Sequence, residues 1–463
     1  MNWLKQAQER QDELIKELQE LVQIESVLDE TTITAEAPFG EGPLKAMKWL
    51  LQKGEEQGLT TKNIDNMAGH IEMGQGEELV GILCHVDVVP AGSDWKHPPF
   101  GGVVEDGKLF GRGAIDDKGP TMAAWLAMKM VKDAGVQLDR RVRLIIGSDE
   151  ETGFRCVTRY FEKEEMPTLG FAPDADFPII NAEKGIAVLV FSQQQKIAEN
   201  EQLISFKAGH RTNMVPDNAT AEIHNVSADF EAAFQAYLQQ ESLQGAIEKV
   251  SEVFNVSIKG KSAHAMEPND GVNAAVKLAA FLNTQLTTSG SKEFVQFIVT
   301  AFGEETRGHA LGLDFHDDMS GDTTLNAGVV SFEAGKGGEV QVSLRYSVTY
   351  PYDEKITAAQ QQLAKNGFAL DIAENSAPHY VDEKEELIQK LIKVYERNTG
   401  EKAELLSIGG GTYARELKTG VAFGMLFPGE PDIAHQADEF VVVENLVKAA
   451  AIYADAIVEL ATK

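Results

Sequence analysis

Cysteine is almost absent: Cys84 and Cys156 are the two in 463 residues. Two thiols cannot make a disulfide framework or a structural zinc cluster, so both are expected to be reduced in a cytoplasmic protein. Basic residues are also short. Lys and Arg number 42 against 72 Asp and Glu, a formal charge of −30. Such a surface repels phosphate backbones and anionic lipid, so neither nucleic acid nor a membrane surface is an expected partner. No run approaches the ~20 apolar residues of a membrane span. The opening segment MNWLKQAQERQDELIKELQELVQIESV lacks the apolar stretch of a secretion signal. There is no tandem repeat, no low-complexity tract and no GxxxxGK[ST] phosphate loop. What is there is ordinary globular material, 43% hydrophobic and 25% charged, long enough for two or three domains.

Hydrophobic patterning divides the chain. Leu14, Ile15, Leu18, Leu21 and Val22 recur at helical spacing within 11–24. The runs LVGILC (79–84), VRLIIG (142–147) and GIAVLV (185–190) read as buried strands, and TMAAWLAMKMVKDAG (121–135) between the first two reads as a helix. Strand, helix, strand predicts an α/β domain with a largely parallel sheet flanked by helices. From about residue 184 the texture changes. Strand-like runs VSIKGKSAH (256–264), LNAGVVSF (325–332) and VQVSLRYSV (340–348) alternate with amphipathic helices near 229–240, 271–287 and 354–365, as in an α+β unit. A helix over 382–400 should stop at Gly400, followed by a strand at 423–429 and a final helix.

Several element ends carry donor atoms. His85 and Asp87 end the first buried run, and residues two apart on an extended strand face the same way, so the acid could orient the imidazole. GRGAIDDKG offers Asp116 and Asp117, whose side chains diverge, so one can enter a site while the other stays solvated or pairs with Lys118. Ser148–Gly153 presents Glu150 and Glu151 at a strand exit, where one can hold a metal and the other reach the substrate water. Asp174 follows Pro173, and His435 lies in PDIAHQADE near the C-terminus. Read singly, each is as well explained by a turn, a helix start or a surface loop. Together they form a mixed N/O donor set that suits zinc, manganese or cobalt. Five protein ligands are too many for one four-coordinate ion with an open position, and they fit two ions sharing a carboxylate. Cys84, beside His85 on the opposite strand face, is expected to pack.

HVDVVPAG, GRGAIDDKG, SDEETG, FAPD and AHQADE, in that order, resemble the motif blocks of the two-metal aminoacylase, desuccinylase and dipeptidase family. MPTLGFAPDADFP, GKSAHAMEPNDGVNAA and GGGTYAR resemble its PepV-type and carnosinase-like dipeptidases. The resemblance implies two divalent ions, zinc foremost and manganese or cobalt as alternatives. Asp116 would bridge them, His85 and Asp174 would complete one site, and Glu151 and His435 the other. Asp87 would orient His85, and Glu150 would be the general base acting on the bridging water. It implies an inserted lid over residues 184–378, between catalytic segments 1–183 and 379–463. His264 of the lid would stabilise the oxyanion. Asn213, Arg345 and the glycines Gly409, Gly410 and Gly411 would bind substrate. The expected activity is hydrolysis of unblocked dipeptides by a monomer, with an N-acyl amino-acid amidohydrolase as the alternative. His97 stands where relatives often carry an acid and receives no role. His70, His210, His224, His309, His316 and His379 match no motif.

Overall fold

A computed structural model describes residues 1–287, 289–303 and 305–462. The chain divides into two compact units. One comprises Met1–Asn181, Tyr380–Leu406 and Gly411–Lys463. The other comprises Ala182–His379 and Ser407–Gly410, so the short segment before Gly411 groups with the second unit, whereas the sequence reading keeps it with the first.

The first unit is built on a sheet whose centre is parallel. Strand Leu79–His85 lies between Arg141–Gly147 and Leu169–Ala172, and Gly420–Ala422 extends the same parallel run. Leu79–His85 is buried along its whole length, as a strand covered on both faces must be, which explains its unbroken apolar sequence. One edge departs from the expectation: Ala68–Met73 and Thr60–Ile64 are added antiparallel. Helix Lys118–Asp133 is almost entirely buried, with Val443–Ala461 packed along it and Gln11–Val22 also in contact. Its small residues Ala123, Ala124 and Ala127 admit this close approach, and Trp125 is fully buried among them. Truncating such a side chain to Ala costs about 3–5 kcal/mol.

The second unit is α+β. Its eight-stranded sheet is antiparallel throughout, in the order Gln244–Val250, Val253–Lys259, Asn218–His224, Leu203–Ala208, Thr324–Glu333, Gly337–Tyr346, Gly185–Gln193, Phe368–Ser376. Helices Phe230–Gln240, Ala274–Gln285 and Tyr352–Lys365 accompany it. Strand Gly185–Gln193 alternates strictly between buried and half-buried residues, the pattern of a sheet with one covered face.

Two expected elements differ. The strand predicted over 256–264 ends at Lys259, and the chain then turns through Gly260. The strand predicted over 423–429 is instead two short pieces, Gly420–Ala422 and Met425–Leu426, because the chain leaves one sheet to pair with Ala175–Asp176. Helix Glu386–Thr399 does stop at Gly400, which takes φ 76°. Among the described residues no helix is long and apolar enough to cross a membrane.

Candidate metal centre

The parallel register sets the site. His85 is the last residue of its strand and pairs with Gly147, the last of the neighbouring strand, so Glu150 and Glu151 follow just beyond the same edge. Asp174 stands two residues past Leu169–Ala172, the strand on the other side. Three carboxyl ends of adjacent parallel strands therefore deliver ligand-type residues to one place, where open α/β sheets usually bind. The parallel pairing of Met425–Leu426 with Ala175–Asp176 brings the His435 loop to Asp174. Asp116 arrives on the turn that precedes helix Lys118–Asp133.

All five converge within the first unit. His85 Nε2 lies 3.1 Å from Asp116 Oδ1 and 3.6 Å from Asp174 Oδ2. His435 Nε2 lies 2.8 Å from Asp116 Oδ2 and 3.2 Å from Glu151 Oε2. They form two three-donor sets, His85–Asp116–Asp174 and Asp116–Glu151–His435, with ligand atoms of each set within 4.8 Å of one another and Asp116 common to both. The donors suit a divalent cation, and buried His85 Nε2 has no well-directed hydrogen bond to protein.

The electrostatics couple the five side chains. Burial pulls the His85 imidazole down, but Asp116, Asp174 and Asp87 outweigh it and hold it well above its ordinary value. For His435 burial acts the same way, and Asp116 and Glu151 push it up to about 11. Burial raises the Asp116 carboxyl, but His435 and His85 hold it well below the usual carboxylate range. Burial and Asp116 push Glu151 up to about 7. Burial pushes Glu150 well up, with Asp174, Glu151 and Asp116 adding to it and His85 opposing.

Supporting contacts differ in part from the sequence reading. His85 Nδ1 meets the Asp87 backbone carbonyl at 3.0 Å, while the Asp87 carboxylate is 3.6 Å away. Asp87 thus meets His85 through both its carbonyl and, less closely, its carboxylate. Asp87 Oδ2 instead accepts the Glu151 N–H at 3.1 Å. Asp117 is neither solvated nor paired with Lys118. It is fully buried, and its Oδ2 accepts the His85 N–H at 3.0 Å and the Thr121 hydroxyl at 3.1 Å. Lys118 Nζ donates to the Ile24 carbonyl at 2.8 Å. His97 sits between Asp438 and Glu105, at 3.1 and 3.0 Å.

Sequence reading missed Tyr413 and Asp149. The Tyr413 ring stands edge-on to His85 with centroids 6.0 Å apart, and its Oη is 2.8 Å from buried Cys156 Sγ. A Cβ on Gly147 would meet that Oη at 2.2 Å, so only glycine fits there. Asp149 accepts from Arg155 N at 3.1 Å and Arg155 Nε at 2.7 Å, which fixes the turn carrying Glu150 and Glu151. The glycine after the apolar run was the visible trace of Tyr413; nothing local marked Asp149.

His264, Asn213, Arg345, Gly409 and Gly410 belong to the second unit and Gly411 to the first. Within the second unit, Ala265 N donates to the Asn213 carbonyl at 2.9 Å, which ties the His264 and Asn213 loops together. Thr324 Oγ1 and Asn326 Nδ2 hold the same loops, through the carbonyls of Ala265 and of Thr212 and Met214. Buried Arg345 donates from Nη1 to the Gly409 carbonyl at 3.1 Å.

A sheet with an inserted second unit, carrying paired His and acid donors at its carboxyl edge, defines a class of hydrolase, and the comparisons place the chain within it. The protein belongs to peptidase family M20/M25/M40, whose family model matches residues 81–459. It is similar to the Bacillus subtilis (strain 168) protein named "Putative dipeptidase YtjP", at 47% identity over 465 residues covering 100% of both chains. Its fold is similar to human carnosine dipeptidase 1, with TM-score 0.60, 15% identity and 99% and 98% of the two chains covered. It is also similar to the di-peptidase Dug1p of Saccharomyces cerevisiae, with TM-score 0.59, 13% identity and 99% and 98% covered.

Proposed function

We propose that this peptidase is a two-metal dipeptidase that hydrolyses the single peptide bond of unblocked dipeptides. The observation that carries the reading is Asp116. Its two oxygens lie 3.1 and 2.8 Å from two different imidazoles, and each imidazole has an acid of its own. The names of the relatives support the choice of dipeptide substrate.

Asp116, His85 and Asp174 would hold one ion, and Asp116, Glu151 and His435 the other, with zinc preferred by the mixed imidazole and carboxylate donors and manganese or cobalt admitted. When bound, the ions supply Lewis-acid polarisation of the scissile carbonyl and a lowered pKa for water. The protein's own groups do the rest. Asp117 and Thr121 fix the main chain of His85, and Asp87 fixes that of Glu151. The Glu150 carboxyl is held well above the range of an ordinary glutamate, chiefly by burial. A carboxyl so tuned takes a proton from the attacking water and returns it to the leaving amine. Substrate contacts are assigned to His264, Asn213, Arg345 and the glycines Gly409, Gly410 and Gly411. Arg345 suits a carboxylate, which guanidinium binds in bidentate fashion.

The test is turnover. Protein stripped by a chelator and reloaded with zinc, manganese or cobalt is assayed on a dipeptide panel and on matching N-acyl amino acids. Release of free amino acids from dipeptides is expected. No turnover of any dipeptide by loaded protein rejects the reading, and faster turnover of N-acyl substrates reassigns it to an amidohydrolase.

A further inference from the structure

The proposed chemistry leaves one buried ion pair without a task. Arg112 Nη1 donates to Glu439 Oε2 at 2.6 Å, and the two residues are 1% and 0% exposed. Arg112 lies on the loop that carries Asp116, and Glu439 on the loop that carries His435. Each side chain grips the other's loop. Glu439 Oε1 accepts the N–H groups of Ile115 at 3.0 Å and Asp116 at 3.3 Å. Arg112 donates to the carbonyl of His435 at 3.2 Å and of Gln436 at 3.3 Å. Its Nη2 also reaches the carbonyls of Pro90 and Ala91, at 3.4 and 3.3 Å, on the stretch that follows His85. The pair is thus crossed between two ligand loops far apart in sequence, and its further hydrogen bonds end on main chain, with the Arg112 guanidinium over the Trp95 ring at 5.2 Å.

Burying two charges this completely is a poor source of net stability, because desolvation offsets the attraction. The contacts are better matched to fixing geometry. Zinc holds nitrogen and carboxylate oxygen at about 2.0–2.2 Å, so two donors on one ion must stand at a narrowly defined separation. Asp116 Oδ2 and His435 Nε2 stand 2.8 Å apart, inside the roughly 3.4 Å that tetrahedral bonds of that length span, so the two loops need part only slightly to seat an ion. His85 and Asp174 are set by a strand and its parallel neighbour. His435 lies on a loop, at φ 63° and with its side chain 52% exposed, and has no such support.

We propose that the Arg112–Glu439 pair is a positioning clamp that sets the separation of Asp116 and His435 and so governs affinity for the ion that these two share with Glu151. The inference rests on the two-metal reading above. Groups of this kind that orient ligands typically change metal affinity by about 10–100-fold when altered.

The experiment is a cobalt(II) titration of the chelator-stripped full-length protein, followed by visible absorption and by elemental analysis. Wild type, Glu439→Gln and Glu151→Gln are compared, the last marking which filling step belongs to the Glu151–His435 site. In Glu439→Gln that step is expected to weaken by about 10–100-fold. The other step should stay near its wild-type constant, far-UV circular dichroism should be unchanged, and excess cobalt should restore two ions. Both steps unchanged, or both weakened alike, overturns the clamp. Should Glu439→Gln fail to fold, the double variant Arg112→Met/Glu439→Gln removes both charges and is titrated instead. A double variant that also fails to fold overturns the clamp, since the pair is then a requirement of the fold. Wild-type protein that holds fewer than two ions overturns the two-metal reading and this inference with it. Two ions in wild type with unaltered filling in the variant overturns the clamp alone.

Discussion

Filling the cage with divalent ions is expected to expel protons, and a lower bound on their number can be worked from the site. In the empty protein the His85 imidazole is held well above its ordinary value and His435 is pushed up to about 11. At a pH of about 8 His435 therefore carries a proton, with His85 shifted in the same direction, whereas Glu151, at about 7, is mostly ionised. Imidazole must be neutral to ligate a metal, so loading two ions at that pH releases at least about one proton, from His435, and more as His85 contributes. The sign follows. Protons compete with metal, so affinity rises with pH, by at least about one logarithmic unit per pH unit for the pair of ions while His435 remains protonated in metal-free protein. Isothermal titration of stripped protein with manganese, in buffers of different ionisation enthalpy, measures the count directly from the slope of apparent enthalpy against that of the buffer. Asp116→Asn, which removes the carboxylate shared by both imidazoles, is expected to release fewer protons. A slope indistinguishable from zero in the wild type would refute the reasoning, because the imidazoles would then be neutral in the empty cage despite carboxylates at 2.8–3.2 Å.

Further outcomes follow from other residues. Glu150→Gln is expected to lower kcat by about 10²–10⁴-fold while elemental analysis still finds two ions; full activity would remove Glu150 from the mechanism. Gly147→Ala places a methyl group 2.2 Å from Tyr413 Oη, and overpacking of this kind costs about 1–3 kcal/mol; an unchanged melting temperature would contradict the packing. Chelation is expected to destabilise the first unit by about 2.7 kcal/mol for each ion initially present at a hundred times its dissociation constant, which calorimetry with and without metal can read. His70 is buried, its Nδ1 2.8 Å from Tyr160 Oη. Burial and then Arg143 pull its imidazole down to about 3. Below its unfolded value of about 6.5 the unfolded chain binds a proton that the folded chain refuses, so stability falls with acid, by about 2 kcal/mol at pH 5. Urea midpoints of wild type and His70→Gln should diverge accordingly, and parallel pH profiles would remove His70 from the account.

The fold was legible where the sequence carries a period. LVGILC and VRLIIG form adjacent parallel strands because unbroken apolar runs suit strands covered on both faces. The antiparallel edge was not legible, since pairing direction leaves no mark on Ala68–Met73. Donor residues could be picked out because strand ends are short and chemically distinct. What held them could not. Asp117 is buried beneath His85 rather than solvated, because the turn before helix Lys118–Asp133 directs it inward to two donors that local sequence does not reveal. His85 takes the Asp87 carbonyl at 3.0 Å, a main-chain partner that side-chain spacing does not reveal. Arg112 and Glu439 are 327 residues apart, and no local pattern links them.

The interruption of the first unit has a consequence for its birth on the ribosome. Asp174 leaves the tunnel long before His435, 261 positions further on, which at 5–20 residues per second is a delay of roughly 13–50 s. During that interval strand Gly420–Ala422 and helix Val443–Ala461 do not yet exist, and the alanine- and methionine-rich flank of Lys118–Asp133 that the helix will cover is bare. The nascent chain therefore waits with an open apolar seam and an incomplete ligand set, a natural client for a chaperone, while the intervening unit has all its own strands and can mature first.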